Sequence, residues 1–202
     1  MPIRAVIFDL FDVLFCMGDL TVRSTYETSI GLPENGLEQA MFSSPQFREA
    51  VAGRVSETEL WQDVANRIGI GVQEWPMLAA TFYSAIKLNT ELVAFLRTLR
   101  PLYKTAILSN APSSVRTLVT QQFHLDREVD SVIISSEEGV MKPQTEIFKI
   151  AASRLGVQLQ EAIFVDDELR FIEAAQSLGM VGIQFKDTKQ AIAEIQFYLD
   201  HT

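Results

Sequence analysis

Four short stretches of this chain gather residues able to do chemistry. Asp9 and Asp12 interrupt an apolar run, AVIFDLFDVLF, from Ala5 to Phe15. Ser109-Asn110 closes a second apolar run, Lys142-Pro143 follows a third, and Asp166-Asp167 closes a fourth. Carboxylates forced together repel, so they either take up protons or hold a cation, and a hard cation such as Mg²⁺ binds through oxygen. Beside such a cluster, Lys142 as a point charge and Ser109 as a donor suit a phosphoryl group, together with main-chain N–H groups at helix starts. A carboxylate can also be a covalent nucleophile, because an aspartyl-phosphate splits one hard displacement into two easier ones.

Such groups converge only if the chain places them on one edge. The runs Arg4 to Phe8, Lys104 to Leu108, Val132 to Ile134 and Ala162 to Val165, with a weaker one at Val181 to Phe185, have the length and β-branched content of buried strands. Between the later runs lie segments of helical period: Leu92, Val93, Phe95, Leu96 and Leu99; then Ile147, Phe148, Ala151, Ala152 and Leu155; then Phe171, Ile172, Ala174, Ala175 and Leu178. Gly156 and Gly179 stand where the last two should stop. Strand alternating with helix predicts an α/β fold, a Rossmann-like, doubly wound parallel sheet. Ligands of such sheets bind at the carboxyl ends of the strands, where Asp9, Ser109-Asn110, the Lys142 loop and Asp166-Asp167 all fall.

The stretch from about Cys16 to Lys87 breaks this rhythm. It has no convincing strand, a capping box at Ser56-Glu57-Thr58-Glu59, and an apolar face of Leu60, Trp61, Val64, Ala65 and Ile68. A small helical cap over residues 16–87 is expected, inserted into a core formed by residues 1–15 and 88–202.

Composition narrows the classes of function. The chain has 202 residues, 48% hydrophobic and 21% charged, with a formal charge of -9. That field repels polyanions and no Lys/Arg cluster offers a local exception, so nucleic acid and anionic membrane surfaces are excluded as partners. One cysteine, Cys16, cannot form an internal disulfide or a Cys-rich metal site, which fits a reducing, cytoplasmic setting. The carboxylates within the first apolar run argue against a signal peptide, and no run reaches membrane-spanning length.

Each residue also has a plain structural reading. An Asp after a strand is ordinarily a turn or cap residue, Ser-Asn is ordinary turn chemistry, and an isolated Lys is ordinarily solvated. Their coincidence after successive strands is what favours a site. His124 and His201 have no partner by spacing and are read as structural, and Cys16 lacks a nearby His to activate it.

Taken in order, IFDLFDVL (7–14), AILSN (106–110), SSEEGVMKP (135–143) and FVDD (164–167) with EAAQSLGM (173–180) resemble the four motifs of the haloacid dehalogenase-like superfamily. The helical insertion is similar to the small cap of the branch containing the epoxide hydrolase N-terminal phosphatase and sugar-phosphate phosphatases. The resemblance implies Asp9 as nucleophile and Ser109, Asn110 and Lys142 as phosphoryl or substrate contacts. It also implies a Mg²⁺ held by Asp9, Asp166, Asp167 and the main-chain oxygen of Phe11. A small phosphorylated metabolite is the implied substrate, and the oligomeric state is left open.

The sequence departs from that pattern at Phe11, where phosphatases of the superfamily usually carry a second Asp as general acid and base. Asp12 stands one place later, where Gly is common, and a one-residue shift in a turn aims a side chain elsewhere. General acid-base catalysis is worth about 10²- to 10⁴-fold, so a leaving group needing little protonation would be favoured. Dehalogenases of the superfamily carry an aromatic residue at this position, which makes a metal-independent 2-haloacid dehalogenase one alternative. They lack the acidic pair found at Asp166-Asp167, which tips the expectation toward a Mg²⁺-dependent phosphatase. A second alternative is a catalytically silent binding domain. Phe171, near a position where relatives often place Asn, is a further departure. In the cap, Arg23, Arg48, Arg54, Trp61, Trp75 and Tyr83 stand as uncommitted candidates for selectivity.

Overall fold

A computed structural model describes residues 1–201. Five parallel strands form the central sheet in the order β5-β4-β1-β6-β7, where β1 is Ala5–Phe8, β4 Lys104–Ser109, β5 Ser131–Ile134, β6 Ala162–Asp166 and β7 Val181–Gln184. β1 lies in the middle, with Ile7 paired to Ala106 of β4 on one side and to Phe164 of β6 on the other. Every residue of β1 is fully buried. That is why its sequence is a continuous apolar run rather than an alternating one.

Because strand side chains alternate, β1 feeds two cores. Val6 and Phe8 pack with Leu92, Val93 and Leu96 of the helix Thr90–Leu99 and with Ala191 and Ile195 of the helix Thr188–His201. Ala5 and Ile7 face Phe148 and Ala151 of the helix Thr145–Leu155 and Ile172 and Ala175 of the helix Leu169–Ser177. Helices therefore cover both faces of an α/β, doubly wound sheet. The chain builds β1, β4 and β5 outward on one side, then crosses to β6 on the other. The connections thus diverge at β1, and a cleft opens beyond its carboxyl end.

Gly156 and Gly179 both adopt the left-handed backbone that ends a helix, with φ of 67° and 88°. A short helix, Ser135–Glu138, precedes the loop that carries Lys142.

The insertion opens and closes with strands that its sequence does not announce. β2 (Phe15–Met17) and β3 (Ile86–Leu88) form an antiparallel ribbon, Phe15 opposite Leu88 and Met17 opposite Ile86. This corrects the expectation of no strand there: three residues per strand are too few for a period to register. Between them, five helices, α1 (Thr21–Ser29), α2 (Gly36–Ser43), α3 (Pro45–Val51), α4 (Glu57–Arg67) and α5 (Trp75–Tyr83), enclose their own core of Leu37, Met41, Leu60, Trp61, Val64 and Leu78. The capping box is formed at the start of α4: Glu59 N–H donates to Ser56 Oγ at 3.2 Å, and Ser56 N–H donates to Glu59 at 2.8 Å.

Three contacts seat these helices on the sheet. Ser135 Oγ donates to the carbonyl of Val51 at 2.6 Å, Ser114 N–H donates to Glu57 at 3.0 Å, and Gly53, at φ 72°, lies so close that a Cβ there would sit 2.1 Å from the carbonyl oxygen of Ser136. Only glycine permits that approach.

Candidate active site

Asp9 is the first residue beyond β1, held by its own N–H donating to the carbonyl of Val165 at 2.8 Å. Its carboxylate accepts from the N–H of Leu10 at 2.7 Å. Asp166 ends β6, fully buried, and accepts from the N–H of Glu168 at 2.9 Å. Between these two carboxylates stands the ammonium of Lys142, 2.8 Å from Asp9 and 2.6 Å from Asp166, with its side chain wholly out of solvent. The rings of Phe164 and Phe171 lie 5.5 Å and 5.0 Å from the same nitrogen. Phe171, noted as a departure, thus packs against Lys142 with its π-face near the charge, a favourable placement for a cation.

Asp167 completes the group, since Asp9, Asp166 and Asp167 each place an oxygen within 4.8 Å of the other two. With Lys142 paired to Asp9 and Asp166, the three carboxylates leave two formal negative charges uncompensated in a largely buried group. Burial, the main cause, raises Asp9 above the ordinary carboxylate range against the opposing pull of Lys142. Burial and the charge of Asp9 push Asp166 up to about 6. Burial and Asp166 raise Asp167. Lys142 is held above its usual value because Asp9 and Asp166 outweigh its own desolvation. A divalent cation would cancel the deficit, and an all-oxygen donor set of this kind fits a hard ion such as Mg²⁺.

Ser109, the last residue of β4, is 1% exposed, and its Oγ has no hydrogen-bond partner among the described residues. A buried hydroxyl left unpaired beside an ammonium and a cavity is a donor awaiting an acceptor. Asn110, expected as a substrate contact, borders the cavity and also holds the loop of Lys142. Its amide donates to the carbonyl of Lys142 at 2.9 Å and accepts from the N–H of Lys142 at 2.8 Å. The side chain thereby fixes the loop that delivers the lysine.

These groups floor a cavity of about 360 Å³. Asp9, Phe11, Ser109, Asn110, Lys142 and Asp167 line it, while Asp166 lies beneath. Asp12 also borders it, at φ 58°. That left-handed backbone explains why Gly suits the position and why Asp, which tolerates it better than most residues, can stand there. Partial burial and the charge of Glu38 raise the Asp12 carboxyl.

Of the cap candidates, Arg23 and Tyr83 line the cavity, whereas Trp61 is buried in the cap core and Trp75 packs against it. Arg54 is paired with Glu49, and neither it nor Arg48 borders the space. The opposite wall is made by residues that sequence reasoning missed, chiefly Phe42, Phe47 and Phe82. Both histidines do have partners, each ring meeting the carbonyl four residues earlier, Thr120 for His124 and Phe197 for His201.

A family model of haloacid dehalogenase-like hydrolases matches residues 3–179. This chain belongs to that family. Among curated haloacid dehalogenase-like relatives, a sesquiterpene phosphatase of Aspergillus oryzae is 26% identical over 96% of this chain and 95% of its own length. A glyceraldehyde 3-phosphate phosphatase of Methanopyrus kandleri is 28% identical over 93% of this chain and 85% of its own. Longer relatives are spanned only in part, one for 19% of its length. Among solved structures, a family enzyme of Bacteroides thetaiotaomicron in complex with magnesium and inorganic phosphate superposes with a TM-score of 0.73, at 21% identity, covering 91% of this chain and 94% of that one. Within the described residues, no helix is long and apolar enough to cross a membrane.

Proposed function

We propose that this haloacid dehalogenase-like hydrolase is a Mg²⁺-dependent phosphatase acting on a small phosphorylated metabolite. The observation that carries this reading is the cluster itself: Asp9 and Asp166 share the ammonium of Lys142, Asp167 adds a third carboxylate, and the buried hydroxyl of Ser109 is unpaired among the described residues. Asp9, Asp166, Asp167 and the main-chain oxygen of Phe11 would hold the metal. When bound, it supplies positive charge for the phosphoryl oxygens. The phosphatases among the relatives support the same reaction class, as does the magnesium-phosphate complex of a protein of this fold.

In this reading Asp9 attacks phosphorus in line. A bond forms between its carboxylate oxygen and phosphorus as the bond to the leaving oxygen breaks, and water then attacks phosphorus to free phosphate and restore the carboxylate. Lys142, held by Asp9 and Asp166, faces the negative charge on the phosphoryl oxygens, and Ser109 Oγ donates to one of them. Asn110 acts as a positioning residue through the main chain of Lys142. Phe11 supplies no proton, so the leaving oxygen departs with its own charge or takes a proton from water, and esters of acidic alcohols are the better substrates. Residues 16–87 form the cap that closes on the organic part, over a core of residues 1–15 and 88–202.

Phosphate release should require Mg²⁺ and vanish in Asp9→Asn, and a fully active Asp9→Asn protein refutes the assignment. Phe11 beside Asp9 also favours one second reading, halide displacement from a 2-haloacid. Halide release that persists in the presence of a chelator would establish it instead.

A further inference from the structure

The cap side of the cavity carries information about the substrate that the catalytic floor does not. Phe42 and Phe47 stand edge to face with ring centroids 5.0 Å apart, Phe42 and Phe82 at 6.3 Å, and Phe82 and Tyr83 at 5.2 Å. These rings come from α2, α3 and α5 and border the cavity together with Phe11. Phe42 remains 57% exposed, so its ring is not spent on the cap's own core. Aromatic rings in such offset contacts form a rigid apolar surface suited to another ring or a branched hydrocarbon.

The polar groups on that side are few and mutually satisfied. Arg23, 4% exposed, donates to Glu38 at 2.8 Å and to Asn35 at 3.3 Å. Its charge is already matched, and a second anion on the substrate would have to displace Glu38, whose side chain is partly exposed, to reach it. Asp12, Glu38, Asp167 and Glu168 also border the space, which gives it an acidic excess that repels further anions. Among the described residues, the one charged donor that the cap helices present there, Arg23, is already held by Glu38 and Asn35, which disfavours a polyhydroxylated group.

Volume sets the size. A cavity of about 360 Å³ lies at the lower end of the range of pockets that hold small organic ligands, roughly 300 to 1,000 Å³.

We propose that the organic group of the substrate is uncharged and apolar, of one- or two-ring size, and seats against Phe42, Phe47, Phe82 and Tyr83. This rests on the phosphatase reading and names its substrate class: hydrophobic, aryl-type phosphate monoesters rather than sugar, polyol or doubly anionic phosphates. Phe11 points the same way, because an aryl oxide leaves without the proton that this position does not supply.

Three esters of phenols of similar acidity test it: phenyl, 2-naphthyl and 4-carboxyphenyl phosphate, assayed by phosphate release with Mg²⁺. The expected order of kcat/KM is naphthyl over phenyl over carboxyphenyl, each step about tenfold. Phe42→Asn, which alters an exposed ring and spares the cap core, should cut the naphthyl preference about tenfold through KM. Phe197→Asn, an exposed ring on the C-terminal helix away from the cavity, should leave it unchanged. Equal rates for phenyl and naphthyl esters, or a preference for the carboxylated one, overturn the proposal while leaving the phosphatase reading intact. If no ester releases phosphate, the phosphatase reading fails. Calorimetry on the same protein then decides the proposal separately: 2-naphthyl phosphate binding at least tenfold tighter than glycerol 3-phosphate sustains the apolar seat, and equal or weaker binding overturns it.

Discussion

The two ends of the cavity are built on opposite terms. Its floor is ionic: Asp9, Asp166 and Asp167 come from strand ends and Lys142 from a loop, and the group is mostly buried and over-supplied with negative charge. Its far wall is apolar: Phe42, Phe47 and Phe82 come from helices of the insertion and touch one another edge to face. The floor is fixed by main-chain geometry, since each of its groups stands at or just after a paired strand or on a loop clamped by Asn110. The wall is fixed only by side-chain packing. A site divided in this way can keep one chemistry while its selectivity drifts with a few helix residues.

The largest effect expected lies at the boundary between the two ends. Phe11→Asp restores a carboxyl beside the nucleophile and should raise turnover of alkyl phosphates, which are poor leaving groups, by about 100-fold or more, with little gain on esters of acidic phenols. The slope of log kcat/KM against leaving-group acidity measures this directly. An unchanged slope means that Phe11 is not where the proton is missing.

Next comes the ionic floor. Lys142→Met leaves Asp9 and Asp166 buried without their shared cation and should cost about 3 kcal/mol in urea unfolding, besides abolishing phosphate release. A variant of unchanged stability would show that the floor does not depend on this pairing.

The seam between insertion and sheet follows. Gly53→Ala adds a Cβ against the Ser136 carbonyl at a left-handed φ, and about 2 kcal/mol of lost stability is expected.

The smallest effect concerns pH. Asp166 is raised to about 6 in the folded protein, so the folded state holds its proton more tightly than the unfolded chain. The stability this contributes is fully present below the ordinary carboxylate pKa and is lost as pH rises through about 6. Mg²⁺ needs the ionised form and should therefore raise Tm more at pH 7.5 than at pH 5. Equal shifts at both pH values would mean that these carboxylates do not take up the metal.

The contrast between floor and wall also governs what could be read from the sequence. All five sheet strands were legible to within a residue or so, four because strands buried on both faces read as apolar runs, and the edge strand β7 more weakly because only Ile183 in it is buried. The places of the candidate carboxylates were legible for the same reason: an Asp that closes such a run, as Asp9 and Asp166 do, is conspicuous. The capping box at Ser56 and Glu59 was legible as a local pattern. The β2–β3 ribbon was not, being three residues a side.

The aromatic wall was also missed. Phe42, Phe47 and Phe82 sit among other apolar helix residues, and nothing in the period separates a ring that faces a cavity from one that faces a core. Trp61 and Trp75, larger and more conspicuous, turned out to serve the cap's own packing. Asn110 was placed at its strand end, but its hold on the main chain of Lys142, 32 residues away, was not legible. Asp12 was set aside as a substitute for the acid because of its one-residue shift, and its left-handed backbone accounts for it as a turn residue.

The central claim is that Asp9 carries the phosphoryl group between two displacements. Rapid acid quench of the enzyme turning over 2-naphthyl phosphate with Mg²⁺, followed by peptide mass mapping, tests it most directly. The account predicts a phosphorylated peptide modified at Asp9, present in the steady state and absent in Asp9→Asn. Phosphate release at full rate with no label on Asp9, or with the label on another residue, would contradict it.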